Sequence, residues 1–218
     1  MSAIPRFASA SYVLSVHNPA TLPPAGAPEV AFVGRSNAGK SSALNALCEQ
    51  KRLAFVSKTP GRTQLINFFA IGSELLLVDL PGYGFAGVPH AVRSHWSHLV
   101  GAYVGERASL AGVVLLMDCR HPLTPIDREV LAWLRPAGRR LHVLLSKADK
   151  LSAQASQRVL AETRRHLALA YPGATAQLFS ALRRKGVDEA RAHIAGWIGR
   201  GTDSGEGVID SSPSHELR

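Results

Sequence analysis

A chain of 218 residues that is 46% hydrophobic is long enough to bury a sizeable core, and one domain is the simplest expectation. Its apolar runs are all shorter than the ~18 residues of a membrane-spanning helix, and its first twenty residues lack the apolar core of a secretory signal. The cysteines, Cys48 and Cys119, each lie in or beside an apolar stretch. We therefore expect free, buried thiols and a cytoplasmic protein without membrane contact.

The charge is distributed unevenly along the chain. The formal net charge is +9, yet the segment 201–218 carries four carboxylates against Arg218 alone. The rest of the chain is therefore even more basic, which favours a polyanionic partner such as nucleic acid over a surface that is merely soluble. The acidic tail, residues 200–218, is also polar and rich in Gly and Ser, so it is predicted to be disordered.

Residues 1–27 show no helical periodicity and end in the turn-rich TLPPAGAP, which predicts a leader packed on or beside the domain. From residue 28 to residue 199, strand-like and helix-like segments largely alternate, which predicts a single α/β domain. The strands are predicted at Glu29–Gly34, Leu65–Ile71, Glu74–Leu80, Gly112–Asp118, Leu141–Ser146 and Ala176–Phe179. The helices are predicted at Ser41–Glu49, Pro89–Arg107, Pro125–Leu134, Ser152–Ala168 and Val187–Ile198.

Strand character also predicts the layers of this domain. Leu65–Ile71 and Glu74–Leu80 flank Gly72-Ser73, a spacing typical of a β-hairpin. Continuous apolar strands such as VVLLM indicate burial on both faces, as in a sheet covered by helices. We expect a three-layer fold with a mostly parallel sheet, one antiparallel hairpin strand and helices on both faces.

Residues 34–41, GRSNAGKS, match the phosphate-binding pattern G-x-x-x-x-G-K-[ST] in full, between a predicted strand and a predicted helix. Its two glycines let the backbone wrap closely around a phosphate, and the start of the helix favours negative charge. The Lys supplies charge to the β- and γ-phosphate oxygens, and the final Ser hydroxyl suits Mg²⁺. The predicted phosphate-binding residues are Gly34, Arg35, Ser36, Asn37, Ala38, Gly39, Lys40, Ser41 and Ser42.

A second segment, Asp79-Leu80-Pro81-Gly82, ends the hairpin with the pattern D-x-x-G. In this pattern Asp79 reaches Mg²⁺ through water, and the Gly82 N–H senses a γ-phosphate. The tetrapeptide is also a common turn, so by itself it is a weak signal. Its value lies in its position between the phosphate loop and the segment described next.

Ser146-Lys147-Ala148-Asp149 follows a predicted strand and has the form of the guanine-specificity loop [N/T]-K-x-D. Asp149 would accept hydrogen bonds from the N1–H and the exocyclic amine of guanine, a donor pair that adenine lacks. The Lys147 stem is expected to lie across the base and the loop. Ser146 stands where Asn or Thr is usual, so its hydroxyl is expected to tie loops together over a shorter reach.

The order of these segments, with a threonine-bearing loop between the first two, is that of a switch GTPase. Residues 57–64, SKTPGRTQ, are polar and contain Gly and Pro, as suits a loop that orders around a γ-phosphate and Mg²⁺. On this reasoning both Thr59 and Thr63 are candidates for the second Mg²⁺ ligand.

In order and spacing, five segments of the chain resemble the EngB (YihA/YsxC) family of bacterial ribosome-biogenesis GTP-binding proteins. They are GRSNAGKSS, SKTPGRTQLINFF, DLPGYGFA, SKADK and FSALRRKG, and the resemblance covers roughly residues 28–198. The family belongs to the TrmE-Era-EngA-EngB-septin-like GTPases, so the resemblance implies the P-loop GTPase fold. The chain departs mildly from the family at Ser146 and at Phe85, where Tyr is commoner.

The resemblance also implies individual assignments. Thr63, within Gly61-Arg62-Thr63-Gln64-Leu65, falls on the Mg²⁺-binding threonine of the family, and Phe179-Ser180-Ala181 falls on the loop that packs against guanine from the other side. Family members are expected to act in assembly of the large (50S) ribosomal subunit and to be needed for normal division and septation. The basic composition agrees with an rRNA-rich partner.

Tyr83 occupies the position after D-x-x-G where Ras-like enzymes place a Gln that orients the attacking water. Intrinsic hydrolysis is therefore predicted to be slow. Related GTPases with an Asn at the position of Asn37 use it to help hold K⁺ near the β/γ bridge, so K⁺ activation is one hypothesis. The alternative is that Asn37 only caps the loop and the ribosome supplies the trigger. The predicted catalytic residues are Lys40, Thr63 and Gly82, with Asn37 acting through K⁺.

These patterns together predict a monomeric GTP/GDP switch that uses Mg²⁺ and acts on the large ribosomal subunit or its precursor. One alternative is a P-loop ATPase or kinase, against which Asp149 and Thr63 argue. Another is a nucleotide-regulated scaffold of the division machinery that does not bind ribosomes directly.

Overall fold

The computed structural model describes residues 4–54, 65–84 and 99–198. Within them, a seven-stranded sheet has the order β1-β3-β4-β2-β5-β6-β7. The strands are β1 (Ser11–Val16), β2 (Glu29–Gly34), β3 (Ile66–Ile71), β4 (Leu75–Asp79), β5 (Leu110–Asp118), β6 (Leu141–Ser146) and β7 (Thr175–Leu178). Because β3 pairs antiparallel with both β1 and β4 while the other pairs are parallel, β3 alone among these strands runs against the rest. The predicted mostly parallel sheet with one antiparallel hairpin strand is confirmed.

Helices cover both faces of the sheet. They are α1 (Lys40–Leu47), α2 (helical residues 99–106), α3 (Pro125–Leu134), α4 (Ala153–Ala170) and α5 (Val187–Ile198). Side chains from α2, α3 and α4 share one buried cluster, and those from α1 and α5 share another. Within β2, Ala31 and Val33 join the first cluster whereas Val30 and Phe32 join the second, as the alternation of a strand requires. The predicted three-layer α/β fold is thus confirmed.

Local sequence signals account for sharp helix boundaries such as the start of α3. Thr124 and Asp127 form a capping box, and Pro125 takes the first helical position, where its missing N–H costs no hydrogen bond. The helix accordingly has the bounds that the sequence predicts.

Part of the predicted leader belongs to the sheet. Residues Ser11–Val16 form the edge strand β1, and Val16 is buried against the core. A register shift between Tyr12 and Leu14 and mostly exposed side chains blur the alternation expected of a strand. Those two features explain why sequence patterning did not indicate this strand.

The end of the leader is attached by a buried ion pair. The Arg107 guanidinium contacts Glu29 and also donates to the carbonyl oxygens of Pro23, at 2.6 Å, and Pro24, at 3.5 Å. Tyr103 donates to the same carboxylate at 2.6 Å. The leader, β2 and α2 are therefore joined at the end of β2 remote from the phosphate loop.

Several predictions fall outside the described residues. They concern Thr59, Gly61, Arg62, Thr63, Gln64, Phe85, the beginning of the helix predicted at Pro89–Arg107, and the tail 200–218. Across the described ranges, no helix combines the length and apolarity needed to cross a membrane. Cys48 and Cys119 are buried free thiols, as predicted, and burial raises the pKa of Cys48 to about 12.

Candidate nucleotide-binding site

The phosphate-loop pattern connects the end of β2 to the start of α1. Gly34 closes β2, and a Cβ there would lie 3.0 Å from the carbonyl oxygen of Leu116 on β5, so any side chain would require the neighbouring strand to shift. Gly39 caps α1 with φ 95°, and Asn37 also has a positive φ of 65°. Successive turns of this kind form a backbone concavity that suits an anion.

The D-x-x-G segment lies directly against this loop. Tyr83 N donates to Gly34 O at 3.2 Å, and Ser36 N donates to Tyr83 O at 2.9 Å. A Cβ on Gly82 would lie 3.3 Å from Gly34 O, so Gly82 abuts the phosphate loop. Leu80 is fully buried in the core between these points, and Leu80 N donates to Phe32 O at 3.0 Å. The structure thus brings the two predicted segments together through backbone contacts.

Lys40 and Asp79 form an ion pair between Nζ and Oδ1, and both side chains are largely buried. Asp79 ends β4 beside Phe32 of β2, and Ser41 follows Lys40 in the first turn of α1. A hydroxyl and one carboxylate fit nucleotide-bound Mg²⁺, which takes few protein ligands beside phosphate oxygens. In the described residues no cluster of three or more His, Cys, Asp or Glu side chains offers a cage for a metal ion, and a nucleotide-bound Mg²⁺ needs none.

The predicted guanine loop is tied to the phosphate loop twice. Ser146, the last residue of β6, places Oγ 2.5 Å from Ala38 O and 3.2 Å from Met117 O. Lys147 Nζ donates to Asn37 O at 2.6 Å. The Ser146 hydroxyl therefore connects loops as predicted, and its short reach suffices because β6 ends beside the phosphate loop.

The segment Phe179-Ser180-Ala181 borders the same loop. Ser180 Oγ donates to Asp149 Oδ1 at 2.5 Å, and Ala148 N donates to Phe179 O at 3.1 Å. The Phe179 ring itself is buried in the core with α1 and α5. Phe179 thus contacts the guanine loop through its backbone, while Ser180 contacts the predicted base-reading carboxylate.

Comparison with known proteins agrees with this geometry. A family model described as 50S ribosome-binding GTPase matches residues 29–147, which is more than half of the chain. Probable GTP-binding protein EngB from Methylobacillus flagellatus is 53% identical over 195 residues, covering 89% of this chain and 94% of that protein. The protein of the same name from Aromatoleum aromaticum is 50% identical over 200 residues, covering 92% and 93%. The chain belongs to the EngB family.

As an EngB-family member, the chain is a GTP-binding protein with a GTPase domain, which excludes the ATPase or kinase alternative. Solved structures share the fold. A crystal structure of a probable GTP-binding protein engB has a TM-score of 0.64 at 24% identity, covering 78% of this chain and 98% of that chain. Era in complex with MgGDPNP and nucleotides 1506–1542 of 16S ribosomal RNA has a TM-score of 0.61 at 21% identity, covering 85% and 60%.

Asp118 is a buried carboxylate at this EngB site that the sequence analysis did not single out. It ends β5 opposite Ser146, and its oxygens contact Arg120 and Lys147. Burial alone would raise the pKa of Asp118, but the hydrogen bonds from Arg120 and Lys147 hold it well below its ordinary value. The available signal was an acidic residue at the end of an apolar strand, an arrangement that Asp79 shares on β4.

Tyr83 is directed away from any role in positioning water. Its ring is buried, and its hydroxyl donates to Asp127 Oδ1 at 2.7 Å. Burial and the Asp127 carboxylate both raise the pKa of Tyr83. The residue after D-x-x-G in this EngB-family protein therefore joins the D-x-x-G segment to α3, which agrees with the sequence argument that it does not replace a catalytic Gln.

Proposed function

We propose that this EngB-family GTPase is a Mg²⁺-dependent switch that acts in the cytoplasm in assembly of the large (50S) ribosomal subunit. Normal division and septation would depend on that role. The observation that carries the guanine-nucleotide part of the proposal is the network in which the predicted guanine loop holds the phosphate loop through Ser146 and Lys147. The ribosomal partner is supported by the family description, 50S ribosome-binding GTPase, and by the basic net charge of +9.

Different residues of the described chain would bind the base and the phosphates of the nucleotide. Asp149 accepts two hydrogen bonds from guanine, while Ala181 and the Ser180 backbone border the base. Lys40 exchanges its contact with Asp79 for the β- and γ-phosphate oxygens. Residues Gly34–Ser42 surround the phosphates, with Leu80 and Pro81 keeping Gly82 beside them.

The oxygen atoms of Ser41, Thr63 and, through water, Asp79 would hold Mg²⁺. When bound there, Mg²⁺ would supply positive charge that offsets the negative charge of the phosphate oxygens. Gly82 would sense the γ-phosphate through its N–H, and the hydrogen bond from Tyr83 N to Gly34 O joins the residue after it to the phosphate loop. The backbone of residues Gly61–Leu65 would follow Thr63 onto the nucleotide, which makes the loop a second switch.

Intrinsic hydrolysis is slow in this proposal because Tyr83 stands where Ras-like enzymes place a water-orienting Gln, and its hydroxyl donates to Asp127 instead. Asn37 is exposed at the tip of the phosphate loop and would help hold K⁺ beside the β/γ bridge. Turnover is to be compared in KCl and NaCl at equal ionic strength, with wild type and Asn37→Ala. Faster turnover in KCl for wild type alone supports K⁺ activation, whereas equal rates in both salts overturn it and leave the ribosome as the trigger.

The ribosomal role is tested by pelleting the protein with purified large subunits in the presence of a non-hydrolysable GTP analogue or GDP. We expect co-sedimentation with the GTP analogue and much less with GDP. Asp149→Asn, which loses guanine recognition, is expected to pellet equally in both. Failure of the wild type to pellet in either state would favour a division scaffold without direct ribosome binding. Sedimentation of the free protein tests the predicted monomer.

A further inference from the structure

We propose that Asp118 and Arg120 are positioning residues for guanine-nucleotide binding. They hold Lys147, and through it the phosphate loop, in the geometry that the nucleotide needs. Neither residue belongs to the phosphate-loop or guanine-loop patterns. The inference rests on the proposed assignment of Ser146–Asp149 as the base-recognition loop.

The first observation is the place of Asp118 in the sheet. It pairs in register with Ser146, and Cys119 N donates to Ser146 O at 2.8 Å. Asp118 Oδ2 lies 3.0 Å from Lys147 Nζ, and the same ammonium donates to Asn37 O at 2.6 Å. One ammonium group, with three hydrogens to donate, thus bridges β5 and the phosphate loop.

The second observation is the fork that Arg120 makes around Asp118. Nε lies 2.9 Å from Oδ1 and Nη2 lies 2.7 Å from Oδ2, while the backbone N of Arg120 donates to Oδ1 at 3.0 Å. A two-point contact of this kind sets the orientation of a carboxylate as well as stabilising its charge. The Asp118 side chain is only 6% exposed, whereas that of Arg120 is 43% exposed. A surface arginine therefore orients a buried carboxylate so that its Oδ2 faces Lys147.

The third observation is that the guanine loop needs such support. Lys147 has a left-handed backbone with φ 56°, a conformation that side-chain-bearing residues adopt only when their surroundings hold them there. Ser146 has a single hydroxyl hydrogen for two facing carbonyl oxygens, Ala38 O and Met117 O, so it donates fully to only one. The Asp118–Lys147 contact supplies a second, charged connection.

The test is a double-mutant cycle read out as the Kd for a fluorescent GDP analogue. The variants are Asp118→Asn, Lys147→Met and the two combined, with Asp188→Asn as a control that removes an exposed carboxylate on α5. We expect Asp118→Asn to weaken binding about tenfold and the double variant to bind no more weakly than Lys147→Met alone. If Asp118 only stabilised the fold, the loss of GDP affinity in Asp118→Asn would add to the loss in Lys147→Met. Additive losses, or an Asp118→Asn affinity equal to that of the control, would overturn the proposal.

Arg120→Ala provides a second test in case Asp118→Asn does not fold. Arg120 lies at the surface, so its replacement is expected to leave the fold intact. We expect about threefold weaker GDP binding in the wild-type background and no further loss in the Lys147→Met background. Unchanged affinity of Arg120→Ala would count against the positioning role. Failure of the base-loop assignment has a different signature, since Asp149→Asn would then leave the preference of the wild type for GDP over ADP intact.

Discussion

Ser180 donates a hydrogen bond to Asp149 across 2.5 Å, so a residue 31 positions further along the chain holds the carboxylate proposed to read guanine. Ser180 is itself fully buried and exchanges backbone hydrogen bonds with Lys185, at 3.0 and 3.1 Å. Its hydroxyl therefore projects from a fixed backbone. The orientation of the Asp149 carboxylate is decided by the loop after β7 as well as by its own loop.

Ser180→Ala is predicted to weaken GDP binding between about fivefold and tenfold. The Asp149 carboxylate loses the donor that orients it, and the expected factor corresponds to about 1 to 1.4 kcal/mol, within the net contribution of a typical hydrogen bond. The affinity for GDP is measured by titration, with Ser9→Ala as a control that removes an exposed hydroxyl. A GDP affinity equal to that of the control would show that Asp149 is oriented by its own loop.

Tyr83→Phe is predicted to lower the free energy of unfolding by about 2 kcal/mol while leaving the rate of GTP hydrolysis unchanged. The hydroxyl donates to buried Asp127, which keeps two donors from Thr124, so only one of its hydrogen bonds is lost. Urea denaturation and single-turnover hydrolysis measure the two quantities. Tyr12→Phe, on exposed β1, is the matched control for stability, and a slower hydrolysis in Tyr83→Phe would contradict the structural role.

The stability of the protein is predicted to fall as the pH is lowered from about 6.5 to about 4. Burial lowers the pKa of His142 to about 4, with His193, stacked on it at 4.0 Å, acting in the same direction. In the unfolded chain, His has its ordinary pKa of about 6.5. Between pH 6.5 and pH 4 the unfolded chain therefore binds a proton at His142 that the folded protein does not bind. Stability is lost across this window and levels off below it, by about 3 kcal/mol in total.

The pH effect is measured as the free energy of unfolding in urea at several pH values. His142→Gln is predicted to remove most of the dependence of the free energy of unfolding on pH between pH 6.5 and pH 4. A remaining shallow slope is expected from His193, because burial lowers its pKa as well. An unchanged slope in the variant would place the titrating group elsewhere.

Deleting residues 1–27 is predicted to lower the free energy of unfolding by more than about 3 kcal/mol. Phe7, Ala10 and Val16 are buried in the cores, and Arg107 would lose the carbonyl oxygens of the leader. Deletion of residues 203–218, which lie within the tail 200–218 predicted to be disordered, is the comparison and should leave the free energy of unfolding unchanged. Equal free energies of unfolding for the two truncated proteins would show that the domain is stable without β1, and that it begins at residue 28 as the sequence predicts.

Much of the fold could be predicted because its signals are local. β2, α3, β6 and α5 have the same bounds in the structure as in the sequence analysis, since apolar runs, capping residues and glycines act over a few positions. The phosphate loop is likewise a local pattern, because a strand, a turn with two glycines and a helix N-terminus are contiguous.

The contacts that complete the site depend on pairs far apart in the chain. Lys147 reaches Asn37 over 110 positions, and Tyr83 reaches Asp127 over 44. No local pattern encodes such a pair, because the partners meet only after the parallel strands have aligned their carboxyl ends at one edge of the sheet. For the same reason no local pattern marks Asp118, since the role proposed for it depends on neighbours on β6 and the phosphate loop.

A phosphate cradle with a guanine-reading carboxylate could be predicted from short motifs, because residue types in this order suit phosphate and guanine directly. The position of β1, the engagement of Tyr83 with Asp127 and the support of Lys147 by Asp118 emerged only from packing. These features follow from strand register and burial, which are properties of the assembled sheet rather than of any single segment.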